Sequence, residues 1–174
     1  MDYKTKPVSR ITLRKYASIF RMIFGVNESG QFPVLEALDK VADIFPGCSY
    51  LIVADECLPK TIPARCVPIG DGNFLIEIKE SVYVGAYEKN IGAYLGFICH
   101  EICHIFLFKI GYAPIFDRSF QNNELPAYES VEWQAKALCG EVMMPYEETK
   151  SMCVEQIISE YSVSKGFAIS RKKY

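Results

Sequence analysis

From Ile91 to Phe108 every residue is apolar or small except Tyr94, whose ring is mostly apolar, and the trio His100, Glu101 and His104. A helix that is apolar all round belongs inside a fold, so this stretch predicts a mostly buried helix that the rest of the chain must cover. Its three polar groups fall within an arc of about 100°, and burying such groups without partners is costly. His100 and His104 stand at i and i+4, which places both imidazoles on one helix face about one turn apart. They are the only two histidines in the chain. A cation held between them would satisfy the whole trio.

The flanking sequence supplies further elements. Leu13, Ala17, Phe20 and Phe24 recur at helical spacing and stop at Gly25, predicting a helix over 11–24. A second is expected from about Pro33 to Phe45, with Leu35, Leu38, Val41 and Ala42 on one face and Pro46-Gly47 closing it. Residues 49–54 and 73–79 read as strands, the latter after an Asp71-Gly72 turn. A helix from Tyr128 or Glu129 to Met144 stops before Pro145, because proline cannot continue it. Residues 147–161 and 164–173 predict two short helices separated by Ser162-Val163. The expected fold is α+β, a small β-sheet packed on helices that include the histidine-bearing one. The expected organisation is a main domain over 1–150 and a C-terminal helical extension, 151–174, packed on the same domain.

Half the residues are hydrophobic and 23% are charged, a balance that excludes a disordered or fibrous chain. A net charge of −2 gives no field to gather nucleic acid, and the one tight basic cluster is Arg171 to Lys173. Near the N-terminus Arg14, Lys15 and Arg21 interrupt every apolar run before it reaches signal-peptide or membrane length. A cytoplasmic location without a membrane partner is therefore expected, and the seven cysteines, an odd number, are expected to be buried reduced thiols.

His100-Glu101-Ile102-Cys103-His104 is the spacing by which a helix offers two imidazoles to zinc and sets a carboxylate beside them. A catalytic zinc needs a third protein ligand and an open position for water. With no third histidine, a carboxylate is the expected donor, and Asp117, Glu124, Glu129, Glu132 and Glu141 lie downstream. Glu132 is chosen: it leads the helical segment Glu132-Trp133-Gln134-Ala135-Lys136-Ala137-Leu138, in which Ala135 lets two helices approach closely. Glu129, one turn away, is the runner-up. Cys99 and Cys103 project about 100° round the helix from the histidines, and are read as core rather than as ligands of the same ion.

The motif taken together with Glu132-Trp133-Gln134-Ala135 and Val142-Met143-Met144-Pro145 resembles the two-part signature of the ImmA/IrrE family of metallopeptidases. Leu13-Arg14-Lys15-Tyr16-Ala17 with Ile23-Phe24-Gly25 resembles that family's opening helix. Ile76-Glu77-Ile78-Lys79-Glu80-Ser81-Val82-Tyr83 resembles its strand and following segment. The chain departs from the family at Cys103, where glycine is usual, and at Ala93-Tyr94-Leu95-Gly96-Phe97, where an arginine often stands. The resemblance implies a minimal zincin-like fold, one Zn2+ per chain held by His100, His104 and Glu132, and Glu101 as the catalytic carboxylate. It also implies a protein substrate, typically a repressor-like regulator.

The expected function is thus a zinc-dependent endopeptidase acting by metal-activated water attack. Phe74 to Lys79 is expected to offer an edge strand to the substrate backbone, and Tyr83, Tyr112 and Tyr128 are available to an oxyanion. The competing expectation is a non-proteolytic regulator. It would bind DNA or a repressor through Ile157 to Tyr174, or use its zinc-bound frame only to sequester a partner.

Overall fold

The computed structural model describes residues 2–26, 29–115 and 125–174. Ser9 accepts a hydrogen bond from the Thr12 amide and so caps α1 (Arg10–Ile23). Leu13, Ala17 and Phe20 are buried along one face, and Phe24 extends it before Gly25, at φ +78°, turns the chain. The single helix expected over 33–45 is two short ones, α2 (Val34–Asp39) and α3 (Val41–Ile44). The break falls at Lys40, whose amide is shared between the Glu36 and Ala37 carbonyls while its ammonium reaches the Phe24 carbonyl. The last turn of α2 tightens to i→i+3 spacing and the helix ends there.

Three strands follow, β1 (Ser49–Val53), β2 (Ala64–Gly70) and β3 (Asn73–Lys79), in the order β1-β3-β2. β1 runs parallel to β3 and β2 antiparallel to it, with Tyr50 and Cys66 both opposite Ile76. Asp71 and Gly72, at φ 52° and 70°, make the two-residue turn between β2 and β3, a geometry that matches the twist of paired strands. β2 was absent from the elements expected above, because Pro68 and the bulge between Pro68 and Gly70 break its alternation. A proline in a strand is tolerated at an edge. β3, by contrast, has a neighbour on each side, so Phe74–Lys79 is the central strand and the expectation that it forms the sheet edge is overturned.

α4 (Glu80–Lys89) leaves β3 directly and ends at Asn90, in the left-handed conformation, where the chain bends by 119° into α5 (Gly92–Lys109). Ile98, Ile102 and Ile105 are fully buried, and Phe106 meets the Phe20 ring of α1 edge-on at 5.3 Å. No single helix among the described residues is long and apolar enough to cross a membrane. α6 (Val131–Met143) lies between α1 and α5. It starts later than expected, because residues 127–129 form a 3₁₀ turn and the Ser130 hydroxyl then accepts from the Trp133 amide at 2.9 Å as an N-cap. The C-terminal stretch holds α7 (Tyr146–Thr149), α8 (Val154–Tyr161) and α9 (Lys165–Arg171). Where one helix over 147–161 was expected, the chain breaks and restarts at Cys153, whose amide donates to Gln156 Oε1. With nine α-helices and a three-stranded mixed sheet among the described residues, the fold is α+β.

Candidate metal centre

Glu132 stands in the first turn of α6, and Ala135, fully buried one turn on, keeps the side between α6 and α5 thin. Asp2 holds the start of the helix: its carboxylate accepts from the Glu132 amide at 3.2 Å and from the Ser130 hydroxyl. An anion there also complements the positive end of the helix dipole. Across the gap, α5 presents His100 and His104 from one face.

The two elements bring their donors together. His100 Nε2 lies 3.0 Å from His104 Nε2 and 3.2 Å from Glu132 Oε2, and His104 Nε2 lies 3.5 Å from Glu132 Oε1. One donor atom from each residue falls within 4.8 Å of the other two. Two neutral imidazole nitrogens that face each other can share at most one proton. A cation coordinated by both, and by the carboxylate, removes that conflict. The donor set of two imidazoles and one carboxylate fits zinc and leaves a coordination position for water. Glu132 is 55% exposed against 22% for His100 and 14% for His104, so the open side of the cluster is the Glu132 side.

Hydrogen bonds from His100 and His104 hold the Glu132 carboxyl well below the usual carboxylate range, which keeps it anionic and ready to ligate. Glu101 behaves in the opposite way. Burial pushes its carboxyl up to about 7, His100 and the Cys66 backbone amide oppose the rise, and the negative charge of Glu132 adds to it. A carboxyl poised near neutrality beside a metal site can both accept and return a proton.

The other carboxylates weighed from the sequence are engaged elsewhere or lie outside the described residues. Glu129 pairs with Lys4 at 3.1 Å. Glu141 is buried on the far side of α6, where its Oε1 receives Arg171 Nη1 at 2.8 Å, Arg10 Nε at 2.9 Å and Arg14 Nε at 3.5 Å. Asp117 and Glu124 lie outside the described residues. Of the three tyrosines, Tyr83 stacks on Tyr87 and Tyr112 sits with its hydroxyl 3.3 Å from that of Tyr16, while Tyr128 is exposed. Because Arg171 is buried against Glu141, the Arg171–Lys173 cluster is not one continuous exposed basic patch.

Cys99 and Cys103 are fully buried, as expected, but Cys57 and Cys153 are exposed. Cys57 ends a 3₁₀ turn and Cys153 caps α8, both surface positions. Two contributors to the site were missed: the Cys66 amide, on a strand whose pattern proline obscures, and Asp2, which no local pattern ties to a helix more than a hundred residues away. No protein-family model and no curated protein matches this chain.

Proposed function

We propose that this chain is a zinc-dependent endopeptidase of the ImmA/IrrE type, with His100, His104 and Glu132 as the ligands and Glu101 as the proton-transferring carboxylate. The observation that carries this reading is the convergence of the three donor atoms within 4.8 Å next to a carboxyl raised to about 7. A bound zinc ion supplies Lewis acidity toward a water molecule and the scissile carbonyl. Glu101, as carboxylate, takes a proton from the attacking water, and as carboxylic acid it returns that proton to the departing amine. His100, His104 and Glu132 orient the ion, and Asp2 steadies the helix turn from which Glu132 projects.

β2 takes the substrate-aligning part first expected of β3. Among the described residues it pairs with β3 alone, it is the strand nearest α5, and its Cys66 backbone acts on the Glu101 carboxyl. An extended segment of a protein substrate adding to that free edge would run past the carboxylate. A repressor-like regulator as the substrate is what the family resemblance implies.

The test is elemental mass spectrometry on the purified protein, followed by incubation with helix-turn-helix repressors and a mixed peptide library read by mass spectrometry. One zinc per chain, lost in His100→Ala and Glu132→Ala, is the expected metal content. The wild type should cut peptide bonds, and Glu101→Gln should keep its zinc and fail to cut. A chain that takes up no zinc, or a Glu101→Gln variant that cleaves as fast as the wild type, overturns the reading.

A further inference from the structure

About a quarter-turn round α5 from the histidines, α5 and α6 meet through sulfur. Cys99 and Cys103 stand at i and i+4 on α5 and Cys139 faces them from α6. Their three Sγ atoms lie within 4.8 Å of one another, and none of the residues is more than 2% exposed. Cys139 Sγ is also 3.8 Å from Met143 Sδ, one turn further along α6. Each helix therefore brings an i, i+4 pair of sulfur-bearing side chains to one buried contact. We propose that this cluster is a second metal site, selective for Cu(I), with Cys99, Cys103 and Cys139 as ligands and the Met143 thioether as an additional donor.

The chemistry of the donors decides the cation. Thiolates suit Cu(I), zinc and iron–sulfur clusters alike, but closed zinc sites complete three cysteines with a fourth Cys or a His, and iron–sulfur clusters take four cysteines; three thiols with a thioether as the remaining donor point to Cu(I). A monovalent ion that coordinates two or three sulfurs leaves a small net negative charge. The buried guanidinium of Arg21, which donates to the Val142 carbonyl of α6 at 2.9 Å and interacts electrostatically with Glu148 first and more weakly with Cys99, lies near enough to offset part of it. A cysteine serving only as a small hydrophobe needs no sulfur neighbour; three of the chain's seven converge here, from two helices. Loading expels one proton from each thiol that becomes a ligand and involves no change of oxidation state. Since the cluster is enclosed, the ion enters as α5 and α6 close during folding, coupling metal to folding.

The test is independent of the histidine site. A His100→Ala/His104→Ala variant, prepared metal-free, is titrated anaerobically with Cu(I) buffered by a colorimetric chelator, both as purified and during refolding from urea. One Cu(I) per chain is expected in at least one of the two preparations, retained when Cys57, Cys66 and Cys153 are changed to Ser. Cys139→Ala should weaken binding by more than the roughly 100-fold that loss of an outer-shell partner costs. X-ray absorption at the copper edge of the same His100→Ala/His104→Ala variant with all its cysteines intact should show a sulfur-only shell, a readout that stands even where the Cys139 variant fails to fold. No uptake in either preparation, a shell containing nitrogen or oxygen, or preferential uptake of zinc by the sulfurs overturns the proposal. Loss of zinc from the histidine site alone leaves all these readouts unchanged.

Discussion

Glu101 makes a prediction that can be tested without any substrate. In the folded chain its carboxyl is pushed from 4.5 up to about 7, chiefly by burial. Between those values the folded state binds more protons than the unfolded one, so stability falls as pH rises through that window. At about 1.36 kcal/mol per tenfold change in proton affinity, the full effect is roughly 3 kcal/mol, reduced toward about 2 by partial exposure of the group. Glu132 works in the opposite sense: its carboxyl is lowered, so its contribution is lost only as pH falls below 4.5 and stays constant across the Glu101 window. Glu101→Gln keeps the shape and cannot ionise. Urea unfolding of chelator-treated protein from pH 4.5 to about 8 should therefore show the wild type losing about 2–3 kcal/mol relative to the variant, with groups common to both cancelling. A dication beside the carboxylate favours its charged form, so saturating zinc should flatten or invert that difference. Parallel metal-free curves for the two proteins would refute the claim that burial raises Glu101, and with it the argument that this carboxyl is poised for proton transfer.

Glu132→Ala should lower zinc affinity by at least about 100-fold, measured by competition with a chelator, while far-UV circular dichroism stays that of the wild type. Glu141→Ala leaves Arg10, Arg14 and Arg171 facing one another without their shared carboxylate and should cost about 3–5 kcal/mol in urea unfolding; a loss below about 1 kcal/mol would show that solvent already serves these arginines. Gly92→Ala would put a Cβ 2.4 Å from the Ser162 carbonyl oxygen, so the backbone must move apart at a cost of about 1–3 kcal/mol, read as a lowered Tm.

What was legible in the sequence is what periodicity and punctuation encode locally. The α5 face with His100, Glu101 and His104 follows from helical spacing alone, and the end of α6 follows from Pro145. Glu132 was legible because Ala135 marks where α6 can come close to α5, and the geometry puts its carboxylate beside both imidazoles. The misses are of another kind. The split at Lys40 depends on an ammonium reaching a carbonyl of a different helix, and the central place of β3 depends on β2, whose alternation Pro68 destroys. Neither is written in a window of neighbouring residues. Glu141 was a reasonable ligand candidate by composition, and only its burial among three arginines removes it from the histidine face.

The disposition of α6 links these features physically. At 3.6 residues per turn, Glu132 and Cys139 are seven residues apart and nearly eclipsed, whereas Glu141 projects from the opposite side. One face therefore meets α5 twice, through the carboxylate beside the imidazoles and through the sulfur cluster. The opposite face is clamped to α1 and α9 by a carboxylate oxygen shared among Arg10, Arg14 and Arg171. A helix held on both sides along its length, and tied at its first turn by Asp2, has little freedom to slide. The distance from Glu132 to the histidines is thus set by the first-turn contacts with Asp2 together with packing two to three turns away. Loosening the sulfur contact or the arginine clamp should therefore weaken the proposed zinc binding in competition with a chelator, although both lie about two turns from Glu132 along α6.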